Sequence, residues 1–262
     1  MRDQMSTLLK EWILKFNLKP FGVVHAGAHL VQERELYKEL NMEPVLWIEA
    51  HPLTSEVARS LLVNYPRQKL INAALWKNSG ELIDLVEAGN ESSSSSLLDI
   101  GLITASHPQV VARKKISVRT QTLAEILESN NIFASNIDFL LIDTQGAESQ
   151  VIEGLGNQIT QFKYIFAEVS IRELYKGTML FKEFIELLRA KEFELLCSQV
   201  NSTTGWGDAL FVRKDVLSLL EIDTSVQNNI SISNGWALAT RFRQLLIKLG
   251  VNNSIVAKMS KK

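Results

Sequence analysis

The sequence predicts an α/β fold of the doubly wound type with a mostly parallel sheet. In the first third of the chain, short apolar runs alternate with segments of helical periodicity, and the connections between them are short. This alternation is typical of a parallel sheet covered by helices on both faces. The early apolar runs are continuous rather than alternating, as strands buried on both faces require. A chain of 262 residues fits one such domain.

The elements of this first part follow one another in a regular order. Residues 7–16 predict an N-terminal helix, because their apolar residues recur at helical spacing. Pro52 stands where a helix is expected to begin, a position that favours proline. The predicted strands are 23–26, 45–48 and 69–75, and the predicted helices between them are 29–40 and 53–63.

Between about residues 76 and 122 the regular alternation loosens. Residues 81–87 alternate between apolar and polar and predict an antiparallel strand, with 115–119 as its partner. The intervening segment 89–101 contains five consecutive serines, and Leu97 and Leu98 follow them at once. We therefore interpret this segment as a loop near a site rather than a flexible linker between domains.

Regular order returns after residue 122. The remaining predicted helices are 122–129, 147–155 and 181–191, and the remaining predicted strands are 137–142, 163–169, 193–197 and 208–213. We divide the chain into an N-terminal helix packed on the domain (1–20), the α/β domain (21–215) and a C-terminal extension (216–262). The extension contains a predicted amphipathic helix at 235–249, which we expect to dock on the domain rather than on a membrane.

Composition and charge exclude several classes of protein. Lys and Arg number 28 and Asp and Glu 29, so the formal net charge of -1 gives no electrostatic footprint for nucleic acid. Cys197 is the single cysteine, which excludes an intrachain disulfide and a four-cysteine metal site. The N-terminal segment lacks the continuous apolar stretch of a signal peptide, and no run approaches the roughly 20 residues of a membrane span. We expect a cytoplasmic protein.

The turn after the first strand and the end of the second strand predict a ligand site. Gly27 lets a ligand approach the backbone at the carboxyl ends of the strands. A pyrophosphate fingerprint would have three glycines, and Gly27 is the only one in this turn. Glu49 follows 22 residues later, where an acid accepts hydrogen bonds from ribose hydroxyls in such folds. The pair predicts an adenosine-type ligand, although Glu49 also fits a carboxylate at a helix N-terminus.

A second polar group follows the strand at 137–142. Asp143, Gln145 and Glu148 cluster in the segment IDTQGAES. A carboxylate at the carboxyl end of a buried strand points into the crevice where ligands bind. Glu148 also fits the first turn of the next helix, where the helix dipole favours a negative charge. We predict a site at Asp143 and leave both interpretations of Glu148 open.

Several segments, in the same order, resemble the FkbM-type methyltransferases. They extend from about residue 22 to residue 214: VVHAGAH, VLWIEAHP, NAALW, the serine run leading to SLL, LLIDTQGAE, AEVSIRELYKG and WGDALFVRK. The resemblance implies a class I methyltransferase fold, whose seven-stranded Rossmann-like sheet has one antiparallel strand. It also implies S-adenosylmethionine as the cofactor and O-methylation of a hydroxyl on a sugar or other small metabolite.

The resemblance further implies which residues contact the cofactor. They are His25, Gly27 and Ala28 at its amino-acid end, Glu49 at its ribose, Asn72 and Ala73 near its adenine, and Asp143 near the transferred methyl group. The sequence departs from the family pattern at three positions. Val31 replaces a glycine, Leu141 replaces a lysine that is often found, and His25 replaces the commoner acid.

Methyl transfer requires in-line positioning and removal of the acceptor's proton. Asp143 is the first candidate for the base, followed by Glu168 at the end of a strand and by His25. The predicted acceptor contacts are Gln145, Glu148 and Tyr175. A divalent cation at Asp143 is left open, although the histidines show no metal-ligand spacing with one another.

Two other functions remain alternatives. One is a non-catalytic module that binds an adenosine cofactor, and Val31 and Leu141 are the positions that favour it. The other is a nicotinamide-dependent oxidoreductase, which the missing glycines argue against. The partner we expect is a small-molecule or glycan acceptor, and the oligomeric state does not follow from the sequence.

Overall fold

The computed structural model describes residues 2–90, 93–132 and 135–220. The predicted amphipathic helix at 235–249 lies outside the described residues. Among those residues no helix is both long and apolar enough to cross a membrane.

Within these described ranges, ten strands form two sheets. They are β1 (Val23–Ala26), β2 (Val45–Glu49), β3 (Gln68–Asn72), β4 (Ala74–Leu75), β5 (Leu82–Ala88), β6 (Ala112–Gln121), β7 (Phe139–Ile142), β8 (Tyr164–Ser170), β9 (Phe193–Val200) and β10 (Trp206–Arg213). The main sheet has seven strands in the order β3-β2-β1-β7-β8-β10-β9. Its pairs are parallel except those of β10, which runs antiparallel to β8 and β9. The predicted fold class is confirmed.

The second sheet has the strand order β4-β6-β5. One strand prediction differs from what the structure shows here. The single strand expected at 69–75 is two strands, because the chain leaves the main sheet after Asn72 and pairs with β6 at Ala74 and Leu75. The predicted antiparallel pairing of 81–87 with 115–119 is confirmed, with Leu85 opposite Ile116.

Eight α-helices and one 3-10 segment (Gly156–Gln161) join the strands in the described part of the chain. The helices are α1 (Arg2–Lys15), α2 (Arg34–Glu39), α3 (Pro52–Leu61), α4 (Ile103–Ser106), α5 (Leu123–Ser129), α6 (Glu148–Leu155), α7 (Phe181–Ala190) and α8 (Lys214–Leu217). The helix predicted at 29–40 begins only at Arg34, because His29 (φ 44) and Val31 (φ 49) are in the left-handed region. Two such residues interrupt a right-handed helix.

Apolar layers cover both faces of the main sheet. Helices α5, α6 and α7 pack on one face, where Val24 and Leu140 point. Helix α1 packs on the other face, and its Trp12 ring lies 5.6 Å from the Phe166 ring. Successive residues of a strand point to opposite faces. The odd or even position of each strand residue therefore decides which of the two layers it joins.

Candidate functional site

A narrow cavity of about 50 Å³ lies at the carboxyl ends of β1, β2 and β7. Its walls include Gly27, Glu49, Ala73 and Asp143, together with side chains of the serine segment. Ligands bind at this edge in open α/β sheets. The structure thus brings together four of the residues that the sequence predicted to contact a cofactor.

Gly27, directly after β1, lies tightly against the backbone that follows β7. Its φ is +87°, and a Cβ at this position would lie 1.8 Å from the carbonyl oxygen of Asp143. Only glycine satisfies both the backbone conformation and the contact. At Gly27 itself, no side chain lies between the backbone and the cavity.

The Glu49 carboxylate holds the two turns that form the cavity wall. Its Oε2 accepts the backbone N–H of His29 at 2.6 Å, and its Oε1 accepts the backbone N–H of His51 at 2.8 Å. The side chain is buried and lines the narrow cavity. A carboxylate oxygen accepts more than one hydrogen bond, so Glu49 retains acceptor capacity toward a ligand hydroxyl.

A larger cavity of about 320 Å³ adjoins the first. Asp143, Gln145, His29 and Ser93 line both cavities. The larger one has three carboxylates, from Asp143, Glu168 and Asp208, in a lining that also includes the apolar side chains of Met5, Ile103 and Leu174. Its other lining groups include the amides of Gln32, Asn90 and Gln145, the hydroxyls of Ser94 and Tyr175, and the rings of Trp206 and His107.

Gln145 connects the polar groups at the junction of the two cavities. Its Nε2 donates to Asp143 Oδ1 at 2.5 Å and to Glu168 Oε2 at 3.1 Å. Its Oε1 accepts the hydroxyl of Tyr175 at 2.8 Å, and Tyr175 also reaches the carbonyl oxygen of Ser94 at 3.3 Å. A single amide therefore orients two carboxylates, and the tyrosine fixes which way that amide points.

Asp208 is a cavity residue that the sequence reasoning missed. It stands directly opposite Glu168 in the β8–β10 pairing. Burial, followed by the negative charge of Asp143, raises the pKa of Asp208 to about 7. The available signal was an acidic residue inside the otherwise apolar run of β10, since buried carboxylates are rare without a reason.

Glu148, predicted as an acceptor contact, has a different position in the structure. Its Oε1 accepts the backbone N–H groups of Thr144 and Gly146, each at 3.0 Å, and it lines neither of the two cavities described above. Burial raises the pKa of Glu148 to about 7 against the lowering effect of these hydrogen bonds. Glu148 supports the turn that presents Asp143 and Gln145, which agrees with the capping interpretation.

His25 also lies away from both cavities, contrary to its predicted roles. It is 1% exposed, its Nδ1 is 2.9 Å from the Tyr37 hydroxyl oxygen, and its ring lies 4.7 Å from that of Trp47. Its place in β1 points the side chain toward the α1 layer, away from both cavities, so this position does not favour the predicted roles of base and cofactor contact.

Two further predicted cofactor contacts lie behind the cavity wall. Ala28 is packed in the α1 layer, and its backbone N–H donates to the carbonyl oxygen of Ile48. Asn72 donates from Nδ2 to the carbonyl oxygens of Glu49 and Ala50, at 2.7 and 3.2 Å. Both support the turns around the narrow cavity rather than line it.

The other two departures from the family pattern, Val31 and Leu141, are also buried in the α1 layer. Leu141 is 0% exposed in β7 and faces α1 rather than the cavities. Val31 is also 0% exposed and has a φ of 49°. Positive φ is an outlier for a β-branched residue, and it explains why a glycine suits this position.

Described residues of the serine-rich segment 89–101 line both cavities: Ser95 and Ser96 line the narrow one, Ser94 the larger one and Ser93 both. Ser96 Oγ donates to the carbonyl oxygen of Gln145 at 2.7 Å and ties the segment to the turn after β7. Among the residues that the structure describes, no three His, Cys, Asp or Glu side chains are arranged to hold a metal ion.

Comparison with known proteins gives a family match over most of the chain that contains the two cavities. A family model described as the methyltransferase FkbM domain matches residues 25–195. A curated relative, 2-O-methyltransferase NoeI of Sinorhizobium fredii, is 36% identical over 81 residues, which cover 31% of this chain and 32% of that protein. The match thus spans about a third of the relative's length.

Two solved structures have a similar chain path at low sequence identity. Magnesium protoporphyrin IX methyltransferase of Synechocystis with bound SAM has 10% identity and a TM-score of 0.48, with 81% of this chain and 79% of that chain covered. A SAM-dependent methyltransferase of Aquifex aeolicus has 12% identity and a TM-score of 0.43, with coverages of 77% and 87%.

Proposed function

The chain belongs to the FkbM family of methyltransferases, and we propose that it moves the methyl group of S-adenosylmethionine to a hydroxyl group of a sugar-like acceptor. The observation that carries this proposal is the junction of the two cavities at Asp143 and Gln145. A donor in the narrow cavity and an acceptor in the larger one would meet at this junction. Holding the two reactants in line is a large part of catalysis for such a transfer.

The groups around the narrow cavity suit an adenosine cofactor. Glu49 offers carboxylate oxygens for ribose hydroxyls, and the backbone at Gly27 is open to close approach. When bound, S-adenosylmethionine supplies an electrophilic methyl carbon. At about 50 Å³ the cavity is narrower than such a ligand, since ligand pockets usually measure roughly 300–1,000 Å³. A bound cofactor would therefore need more room than the narrow cavity alone provides.

Asp143 is the proposed base for the acceptor hydroxyl. Its Oδ1 accepts the hydrogen bond from Gln145, whereas its Oδ2 has no hydrogen-bond partner within the described part of the chain. A hydroxyl placed at Oδ2 would donate its proton to the carboxylate as the new O–C bond forms and the S–C bond of the cofactor breaks, leaving S-adenosylhomocysteine. Glu168, held by the same amide, keeps a second carboxylate beside the acceptor.

The character of the larger cavity supports a sugar-like acceptor. Its amide, hydroxyl and carboxylate groups match the many hydrogen bonds of a polyhydroxylated molecule. The Trp206 ring offers an apolar surface for the C–H face of a sugar ring. The name of the S. fredii relative, a 2-O-methyltransferase, favours oxygen as the methylated atom. A cytoplasmic location and the lack of nucleic-acid binding stay predictions from the sequence.

The test is methyl transfer from labelled S-adenosylmethionine to a panel of free sugars, glycans and hydroxylated metabolites. We expect label on a hydroxyl oxygen of at least one sugar-like acceptor, with the position established by mass spectrometry. Label that appears only on nitrogen, or on acceptors without several hydroxyl groups, would contradict the proposal.

The same assay separates the proposal from the alternatives. A non-catalytic module would bind S-adenosylhomocysteine and transfer no methyl group, so transfer to any acceptor excludes it. The family match favours methyl transfer over nicotinamide-dependent oxidation. Titration with NADH should therefore produce no saturable change in fluorescence.

A further inference from the structure

The proposed reaction leaves Asp208 without a role, although its side chain reaches the larger cavity. The residue is 6% exposed and lines that cavity. Its carboxylate has no hydrogen-bond or ion-pair partner among the residues that the structure describes, and only burial and the charge of Asp143 act on its titration. Burial of an unpaired carboxylate is costly. Such a group, directed into a cavity, is suited to a ligand rather than to the stability of the fold.

The surroundings of Asp208 are negatively charged. Glu168 faces it across the β8–β10 pairing, and Asp143 lies on the same cavity. The described lining residues include no lysine or arginine that would balance these three carboxylates. The charge of Asp143 raises the pKa of Asp208, so these two carboxylates repel each other when both are ionised. A cation in the cavity would offset this repulsion, whereas an anionic group such as a phosphate would increase it.

An aromatic ring completes the environment. Trp206 and Asp208 are two residues apart in β10, so their side chains point to the same face of the strand. Both line the larger cavity, and the Trp206 ring centroid lies 6.5 Å from that of His107. The face of an aromatic ring attracts an ammonium group. A carboxylate and an aromatic ring side by side are suited to bind an amine in its charged form.

We propose that the acceptor carries a protonated amine beside its hydroxyl groups, and that Asp208 binds this amine with Trp206 at its side. The proposal rests on the proposed function, since it takes the larger cavity as the acceptor site. Asp143 at the junction removes the proton, and Asp208 selects the molecule. A bound ammonium group also keeps Asp208 ionised at neutral pH, where its raised pKa of about 7 otherwise leaves it partly protonated.

Two commercially available sugar alcohols form a matched pair of probes. N-methylglucamine and sorbitol share a polyhydroxylated chain, and a methylammonium group replaces one terminal hydroxyl in the former. Calorimetric titration of the full chain, saturated with S-adenosylhomocysteine, is carried out at pH 8 and constant ionic strength. We expect the amine to bind at least about tenfold more tightly than sorbitol, as a hydrogen bond between charged groups allows.

Substitutions locate the effect. Asp208→Asn keeps the size of the side chain and should bring the two affinities to within about twofold, because the charge-assisted part of the interaction is lost. Asp84→Asn is the matched control, since it removes an exposed carboxylate of β5 that lines neither cavity, and the preference should persist in it. Trp206→Leu should weaken the amine more than sorbitol.

Three outcomes would overturn the proposal: equal affinities in the wild type, an amine preference that Asp208→Asn leaves intact, or binding of neither probe at tens of millimolar. The proposed function fails in a different way, through absence of S-adenosylhomocysteine binding or of methyl transfer to any hydroxyl. Repeating the titration without S-adenosylhomocysteine keeps the two results independent.

Discussion

Gln145 donates a hydrogen bond of 2.5 Å from Nε2 to Oδ1 of Asp143. The bond joins two residues of the turn after β7, and Gln145 has a φ of 56° there. Positive φ in a residue other than glycine is sparsely populated and concentrates at functional sites. The turn therefore presents an amide and a carboxylate together at the junction of the two cavities, with one carboxylate oxygen left for the acceptor.

Tyr175→Phe should reduce catalysis without affecting the cofactor. The substitution removes the hydroxyl that donates to Gln145 Oε1 at 2.8 Å and leaves the ring in place. A neutral hydrogen bond contributes about 0.5–1.5 kcal/mol, so we expect kcat to fall by roughly 2- to 10-fold. Steady-state kinetics and calorimetry with S-adenosylhomocysteine measure the two effects. A larger change in cofactor affinity than in kcat would assign Tyr175 to the cofactor pocket.

Glu49→Gln should weaken cofactor binding. The amide retains one acceptor oxygen but loses the charge, and a hydrogen bond to a charged group contributes about 1.5–3 kcal/mol. We expect an affinity for S-adenosylhomocysteine about tenfold lower or more, measured by calorimetry. Glu49→Ala should also lower the melting temperature, because it removes the acceptor of the His29 and His51 N–H groups. Unchanged affinity in a folded Glu49→Gln variant would exclude contact with the ribose.

Gly27→Ala should destabilise the protein and abolish cofactor binding. The new Cβ would lie 1.8 Å from the Asp143 carbonyl oxygen, and φ is +87°. Gly80→Ala is the matched control, because φ is +84° there and nothing lies within 4 Å of the added atom. In both variants an alanine with a left-handed backbone destabilises the folded state by about 1 kcal/mol. Thermal unfolding should therefore show a much larger loss at Gly27, and equal losses would contradict the close approach of β1 and β7.

Stability of the protein should fall as the pH rises from about 4 to 7. The pKa of Asp208 is ordinarily 3.8 and is raised to about 7 in the fold, so the folded state binds more protons in this window. Ionisation of the folded form therefore lowers the free energy of unfolding, at about 1.4 kcal/mol per pKa unit and at most about 4 kcal/mol in total. Above pH 7 the loss is complete.

Asp208→Asn is expected to flatten this profile and to exceed the wild type in stability at pH 8. A smaller decline should persist in the variant, because the pKa of Glu148 is also raised to about 7. Urea denaturation at pH 5 and pH 8 measures both effects, and Asp84→Asn should behave like the wild type. A wild-type profile that rises across this window would contradict the burial of an unpaired Asp208.

Periodic patterns of apolar residues within one segment were sufficient to predict several strands and helices. The period-2 pattern of residues 81–87 identified β5, and helical periodicity identified α7 to within one residue of its end. The predicted start of α2 was wrong. His29 and Val31 have positive φ because they form a turn, and the backbone N–H of His29 in that turn donates to the distant Glu49 carboxylate. No window of sequence contains both partners of that contact.

The site shows the same division. Gly27, Glu49 and Asp143 were predicted because each follows a recognisable strand, and the carboxyl ends of parallel strands share one edge. His25 precedes the end of β1 by one residue, which is enough to point it into the α1 layer. Asp208 was missed because its position opposite Glu168 is set by the register of β10 against β8. Register depends on the whole sheet and not on either strand alone.

The central claim is that methyl transfer occurs where the two cavities meet, with Asp143 as the base. The most direct test is a single-turnover measurement of methyl transfer by wild type and Asp143→Asn, on an acceptor found in the panel, together with the affinity of each for S-adenosylhomocysteine. We predict a rate about 10²–10⁴-fold lower in Asp143→Asn, the usual contribution of a positioned base, with the affinity changed by less than about threefold. A near-normal rate in Asp143→Asn, or a loss of rate that only follows a loss of cofactor binding, would contradict the account.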